Sequence, residues 1–168
     1  EPQKNIFDFI QNKYKNDRSI NIYNHAISNK EKKMKLYINK HDLTSSLTEI
    51  DKNNKYLNLK AKLFGGSLDE MIKKKITIKA LSLKNIINKE KIKKIDLVKI
   101  DTEGHELQVL QGAGNFLKKG IKYLIIEFHN SNIFLNYNPV EIEKYLKKNG
   151  FILKKRFKFP FTTWEDRI

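Results

Sequence analysis

Apolar residues recur along this chain at two spacings, and the two alternate. In "EPQKNIFDFIQNKY" the residues Ile6, Phe9, Ile10 and Tyr14 fall on one helical face, and Pro2 suits a first turn. "SINIYNHAIS", Ser19 to Ser28, alternates with period two and predicts a strand. "KMKLYIN" predicts a second, with Asn29 and Lys30 in the polar link of a hairpin. Between His41 and Ser67 the pattern dissolves, and "TSSL" and "FGGS" read as loop. "KITIKAL" is a strand, and "SLKNIINKEK" a short helix with Ser82 at its cap. "KIDLVKI" is the best candidate for a central strand. "ELQVLQGAGNFLKKG" is a helix with Leu107, Leu110 and Leu117 on one face and Gly120 near its end. "KYLIIEF" is another buried strand. In "NPVEIEKYLKKNG" Asn138 caps the helix, Pro139 takes the first position, Glu141 completes a capping box and Gly150 ends it. "FILKKRFKF" then predicts a last strand.

Strands alternating with helices imply an α/β layered fold with a largely parallel sheet. The 168 residues suit one domain, residues 1–168. Ligands of such sheets bind beyond the carboxyl ends of the strands. Three strand ends here carry polar clusters: Asn24 with His25, Asp101 with Glu103, and Glu127 with His129.

Composition narrows the partners. The net charge is +15, but the lysines are scattered and the only arginines are Arg18, Arg156 and Arg167. Arginine is the better reader of phosphates and bases, so the charge reads as a solvated surface and nucleic acid is not the expected partner. There is no Cys, which removes disulfides and thiolate metal sites and suits a cytoplasmic location. No apolar run approaches the ~20 residues of a transmembrane helix.

The strand ends carry the chemistry. Asp101 stands at the tip of an apolar strand, where a charge needs a partner. Glu103 and Glu106 lie three apart at a helix start, where helix-dipole chemistry alone favours acidic residues. His105 sits between them. Glu127 and His129 alternate with Phe128 and point to one side of their strand. A right-handed crossover would set that strand end beside Asp101. A carboxylate–imidazole set can take a proton from a hydroxyl, and the same atoms can bind a divalent metal; the residue set does not choose between them.

At this point the residues match a family. "DLVKIDTEGHELQVLQGA", Asp96 to Ala113, resembles the signature of the FkbM-type methyltransferases. "LIIEFHN" resembles the family's following strand, "NHAIS" a strand end of its adenine pocket, and "TSSL" its Ser-containing loop. "NPVEIEKYLKKNGF" resembles its penultimate helix. "EP" at Glu1–Pro2 resembles the end of its second strand, where an acidic residue binds ribose hydroxyls. The resemblance implies a Rossmann-like class I methyltransferase fold, with helices on both faces of the sheet. It implies S-adenosylmethionine as cofactor and O-methylation of a hydroxyl on a glycan, lipid or small natural product. Cofactor-binding residues would be Glu1, His25, Ala26 and Asp101. Catalytic residues would be Asp101, Glu103, His105, Glu127 and His129, with the metal requirement open. Two departures stand out. The family's first strand and glycine-rich cofactor turn are expected ahead of Glu1, which makes this chain the C-terminal portion of the domain and leaves "KIDLVKI" with an open apolar edge. Its "LD" is here Leu83–Lys84. The alternative is a non-catalytic basic binding module on the same scaffold.

Overall fold

The computed structural model describes residues 1–39, 45–63, 66–68, 72–129 and 133–157. Helix α1 (Lys4–Lys13) leads to strands β1 (Ala26–Ser28) and β2 (Lys32–Asn39). Helix α2 (Lys55–Leu63), strand β3 (Ile72–Ser82) and helix α3 (Leu83–Lys89) follow. The second half runs β4 (Ile95–Ile100), α4 (Glu106–Gly112), α5 (Phe116–Gly120), β5 (Ile121–Ile126) and α6 (Pro139–Lys148). Strands and helices alternate, so the α/β class holds.

The strands do not make one largely parallel sheet. They form a mixed three-stranded sheet, ordered β1-β3-β2, and a parallel pair, β4-β5. The expected β1–β2 hairpin is absent, because β3 lies between the two strands. β1 runs parallel to it, with Ala26 opposite Ala80, and β2 antiparallel, with Lys32 opposite the same Ala80. Packing accounts for this. Leu36 of β2 meets Ala26, Ile78 and Ala80 in one apolar cluster, flanked by Met34, Ile38 and Ile76. The period-two faces of β2 and β3 can share that cluster only as neighbours. β1 is also shorter than "SINIYNHAIS" predicts: residues 19–25 join no strand.

β4 and β5 pair from Ile95–Ile121 to Ile100–Ile126, and the Glu127 N–H extends the ladder to the Ile100 carbonyl at 3.0 Å. α4 and α5 form the crossover between them. The expected single helix divides there, as the Ala113 and Gly114 amides close onto the Leu110 and Gln111 carbonyls. α4 docks closely on β1: a Cβ at Gly112 would lie 2.1 Å from the Ser28 carbonyl oxygen. The main core gathers Ile100, Leu110, Leu117, Ile126, Phe134 and Ile142. β4 is not a fully buried central strand. Only Ile100 of it is buried, and Leu97 is 52% exposed.

Local signals performed well where one residue could satisfy them. Ser82 Oγ accepts from the Asn85 N–H at 3.1 Å, and Asn138 Oδ1 from the Val140 N–H at 3.0 Å. α2 lies inside the stretch expected to be irregular. Asn54 Oδ1 caps it through the Leu57 N–H at 2.9 Å, and Leu57 and Ala61, four apart, bury into the core. α1 starts at Lys4, not at Pro2, and buries none of its residues; Phe9 is 69% exposed. Residues 151–157 join no strand, and the rest of "FILKKRFKF" lies outside the described residues. Among the described residues no helix is long and apolar enough to cross a membrane.

Candidate active site

The chain leaves β4 at Ile100, and Asp101 is the first residue past it. Lys99 Nζ meets Asp101 Oδ2 at 2.8 Å. Asp101 is also hydrogen-bonded to the Glu127 carboxyl beyond β5. Partial burial pushes the Asp101 carboxyl up. The bonds from Lys99 and Glu127, with the Lys99 and His129 charges, outweigh that and hold it below the usual carboxylate range. Reciprocally, the bond to Asp101 raises Lys99. Asp101 is thus held in its ionised form.

The next residues make a tight turn. Glu103 has φ +51° and Gly104 φ +89°, two left-handed residues in succession. Glycine is needed at the second, because a Cβ there would lie 2.6 Å from the Phe134 ring. The turn is held on several sides. Ser46 Oγ donates to the Glu103 carbonyl, and Thr48 Oγ1 to the Gly104 carbonyl at 2.8 Å. Glu106, wholly buried, accepts on Oε1 from the Thr102 N–H, the Thr102 hydroxyl and the Gly104 N–H, each at 3.1 Å.

His129 reaches the same place from β5. Its N–H donates to Tyr137 Oη at 3.0 Å. Its ring meets Phe134 edge-on, with centroids 5.3 Å apart. Nε2 lies 3.6 Å from Glu103 Oε2, with the imidazole buried and the Glu103 side chain 21% exposed. The carboxylate is therefore the member of this pair that meets solvent.

The structure brings together four expected residues: Asp101, Glu103, Glu127 and His129. It places His105 elsewhere. That imidazole is buried, with Nε2 3.0 Å from Ser28 Oγ. Burial first, then the Lys32 charge, pushes it down to about 4, so it is neutral at pH 7. His41 lies outside the described residues.

Glu1, His25 and Ala26 gather at the start of β1. Glu1 Oε1 accepts from the Gln3 N–H at 2.8 Å, and Asn24 Nδ2 donates to the Glu1 carbonyl at 3.0 Å. His25 Nδ1 is buried with no hydrogen-bond partner among the described residues. Ala26 is buried against β3. Among the described residues no group of three or more His, Asp or Glu side chains is arranged to hold a metal ion. A groove of about 580 Å³ runs between the outer side of β5 and residues 149–157; its lining includes Tyr123, Phe151 and Arg156 but not Asp101, Glu103 or His129.

Sequence reasoning named Ser46 only within the "TSSL" loop of the family resemblance, and did not single out Lys99, Thr48, Phe134 or Tyr137. Only Lys99 carried a local signal, two residues before Asp101 on the same side of the strand. The others reach the turn by tertiary packing.

A family model described as Methyltransferase FkbM domain matches residues 1–153. Among curated proteins, the chain is 33% identical over 73 residues to hexuronic acid methyltransferase AglP of Haloferax volcanii. That match takes in 44% of this chain and only 28% of the relative. No solved structure matches the chain.

Proposed function

The chain belongs to the methyltransferase FkbM domain family, and from that premise we propose that the protein transfers a methyl group from S-adenosylmethionine to a sugar hydroxyl. The observation that carries this reading is the pairing of Glu103 with His129 beside the Asp101–Glu127 pair, all past the carboxyl ends of β4 and β5. The sugar is suggested by the hexuronic acid methyltransferase among its relatives.

The residues present fit a nucleoside cofactor. The buried His25 Nδ1 lacks a partner among the described residues, which suits an atom reserved for a ligand. Glu1 has a second carboxylate oxygen for ribose hydroxyls, and Ala26 is small enough for a base to lie against it. When bound, the cofactor supplies an electrophilic methyl on a sulfonium. Asp101, ionised, gives a negative wall at the junction of cofactor and acceptor.

The acceptor hydroxyl then meets the partly exposed Glu103 carboxylate. The hydroxyl proton would pass to Glu103, a general-base step, as the methyl leaves the sulfonium for the hydroxyl oxygen and the cofactor is left as a neutral thioether. His129 does not reach the acceptor directly, since its Nε2 is buried and makes no hydrogen bond among the described residues; it backs the carboxylate at 3.6 Å. Phe134 and Tyr137 fix the His129 ring and keep water from it. Alignment of acceptor and methyl supplies much of the rate.

The test uses the full-length protein with methyl-labelled cofactor and a panel of neutral and uronic-acid oligosaccharides. Mass spectrometry should find label on a hydroxyl of one of them. A well-folded protein that binds no cofactor by calorimetry would sink the reading. Binding of an acidic glycan without transfer would favour the basic binding module. Loss of transfer with chelator, restored by magnesium, would move the chemistry to a metal-assisted step.

A further inference from the structure

Glu106 is a wholly buried carboxylate that the proposed transfer does not use. Such a group is costly unless paired. Among the described residues no lysine or arginine pairs with it; its three partners there are two backbone amides and one hydroxyl, all from Thr102 and Gly104. It therefore spends its charge on the shape of a five-residue turn. That turn needs holding, because Glu103 is a non-glycine residue with φ +51°, a conformation that costs on the order of 1 kcal/mol. The residue so held is the one whose carboxylate faces His129.

We propose that Glu106 is a positioning residue: its buried carboxylate fixes the Thr102–Gly104 backbone so that Glu103 is presented to His129. This rests on the methyl-transfer reading only for its effect on rate. The alternative is that Glu106 merely packs the start of α4. The hydrogen bonds argue against that. Helix-dipole stabilisation would need only a carboxylate near the first turn, at the surface. Here one oxygen collects all three bonds from the turn, and the other, Oε2, has no partner among the described residues. A carboxamide keeps an oxygen for the same turn donors, at the cost of burying its NH2 where Oε2 now has no partner among the described residues.

The experiment compares full-length wild type, Glu106→Met and Glu106→Gln. Methionine keeps the packing and removes the acceptor; glutamine keeps the acceptor and removes the charge. Two readouts do not depend on activity. Amide exchange should show the Gly104 N–H of the wild type protected, although it lies in a turn. Methionine should accelerate exchange at Thr102 and Gly104 by tenfold or more, and glutamine should recover most of the protection. The ring resonances of His129 should shift in Glu106→Met toward their position in Glu103→Gln, and return in Glu106→Gln. Where transfer is measurable, Met should lower kcat about tenfold with KM for the cofactor unchanged, and Gln should bring it back within a few-fold.

Unprotected Gly104 in the wild type would overturn the proposal, even if the variants fail to fold. So would His129 resonances that stay fixed in a folded Glu106→Met protein. Were wild type to transfer no methyl at all, the functional reading would fail, while exchange and resonance would still decide the role of Glu106.

Discussion

His105 and His129 are nearly equal in burial, at 5% and 8% exposure; the first belongs to the Asp101–Glu106 turn and the second packs against it. Their partners differ. His105 bonds to Ser28, a neutral hydroxyl in a dry contact between α4 and β1. His129 faces a partly exposed carboxylate, Glu103, and stands on aromatic rings. Burial alone therefore says little about what a histidine does. A neutral partner inside the core makes a buried joint; a partly exposed carboxylate partner leaves the other pair in reach of solvent.

The comparison can be broken most decisively at the turn. Glu103→Gln should cut methyl transfer by about 10²–10⁴-fold, the usual range for loss of a general base. His105→Gln should cost less than about tenfold in rate at a temperature where both variants are folded. Equal losses in the two would erase the distinction. Next in size, Gly104→Ala drives a Cβ into the Phe134 ring at a left-handed position, so chemical denaturation should show a loss of about 3 kcal/mol.

Acid should act through His105. Its folded value is depressed to about 4 from 6.5, so the unfolded chain binds the proton first. Its contribution is fully present above pH 6.5 and is lost as pH falls toward 4, reaching on the order of 3 kcal/mol. Denaturation midpoints across that window should fall less steeply in His105→Gln than in wild type. The smallest effect is expected at Ser28→Ala. It leaves the His105 Nε2 unsatisfied and should cost about 2 kcal/mol, with no change in the cofactor KM.

Much of the fold was legible where a few neighbouring residues suffice. The caps at Ser82 and Asn138 are bonds between residues two or three apart. β4 and β5 follow from their short apolar runs, and α6 from period 3.6. α2 was missed because Lys and Asn dilute its apolar face; the Asn54 cap and the Leu57–Ala61 spacing were the available signs. The β1–β2 hairpin failed for a different reason. The chain between the two strands suits a hairpin well enough, but β3 offers a better face to both than either offers the other.

The candidate site divides the same way. The sequence by itself determined that Asp101 and Glu103 follow one strand, that Glu127 and His129 follow another, and that a helical crossover lies between. It also determined the signature that belongs to the methyltransferase family. Only the tertiary structure decided which of those groups meet. His105 and Ser28 are 77 residues apart, and Ser46 and Glu103 are 57 apart. No local pattern encodes such pairs, because a hydrogen bond and the exclusion of water from it depend on which distant surfaces close over one another. The same closure buried Glu106 beneath the turn, and left the Glu103 carboxylate partly exposed while burying the His129 imidazole.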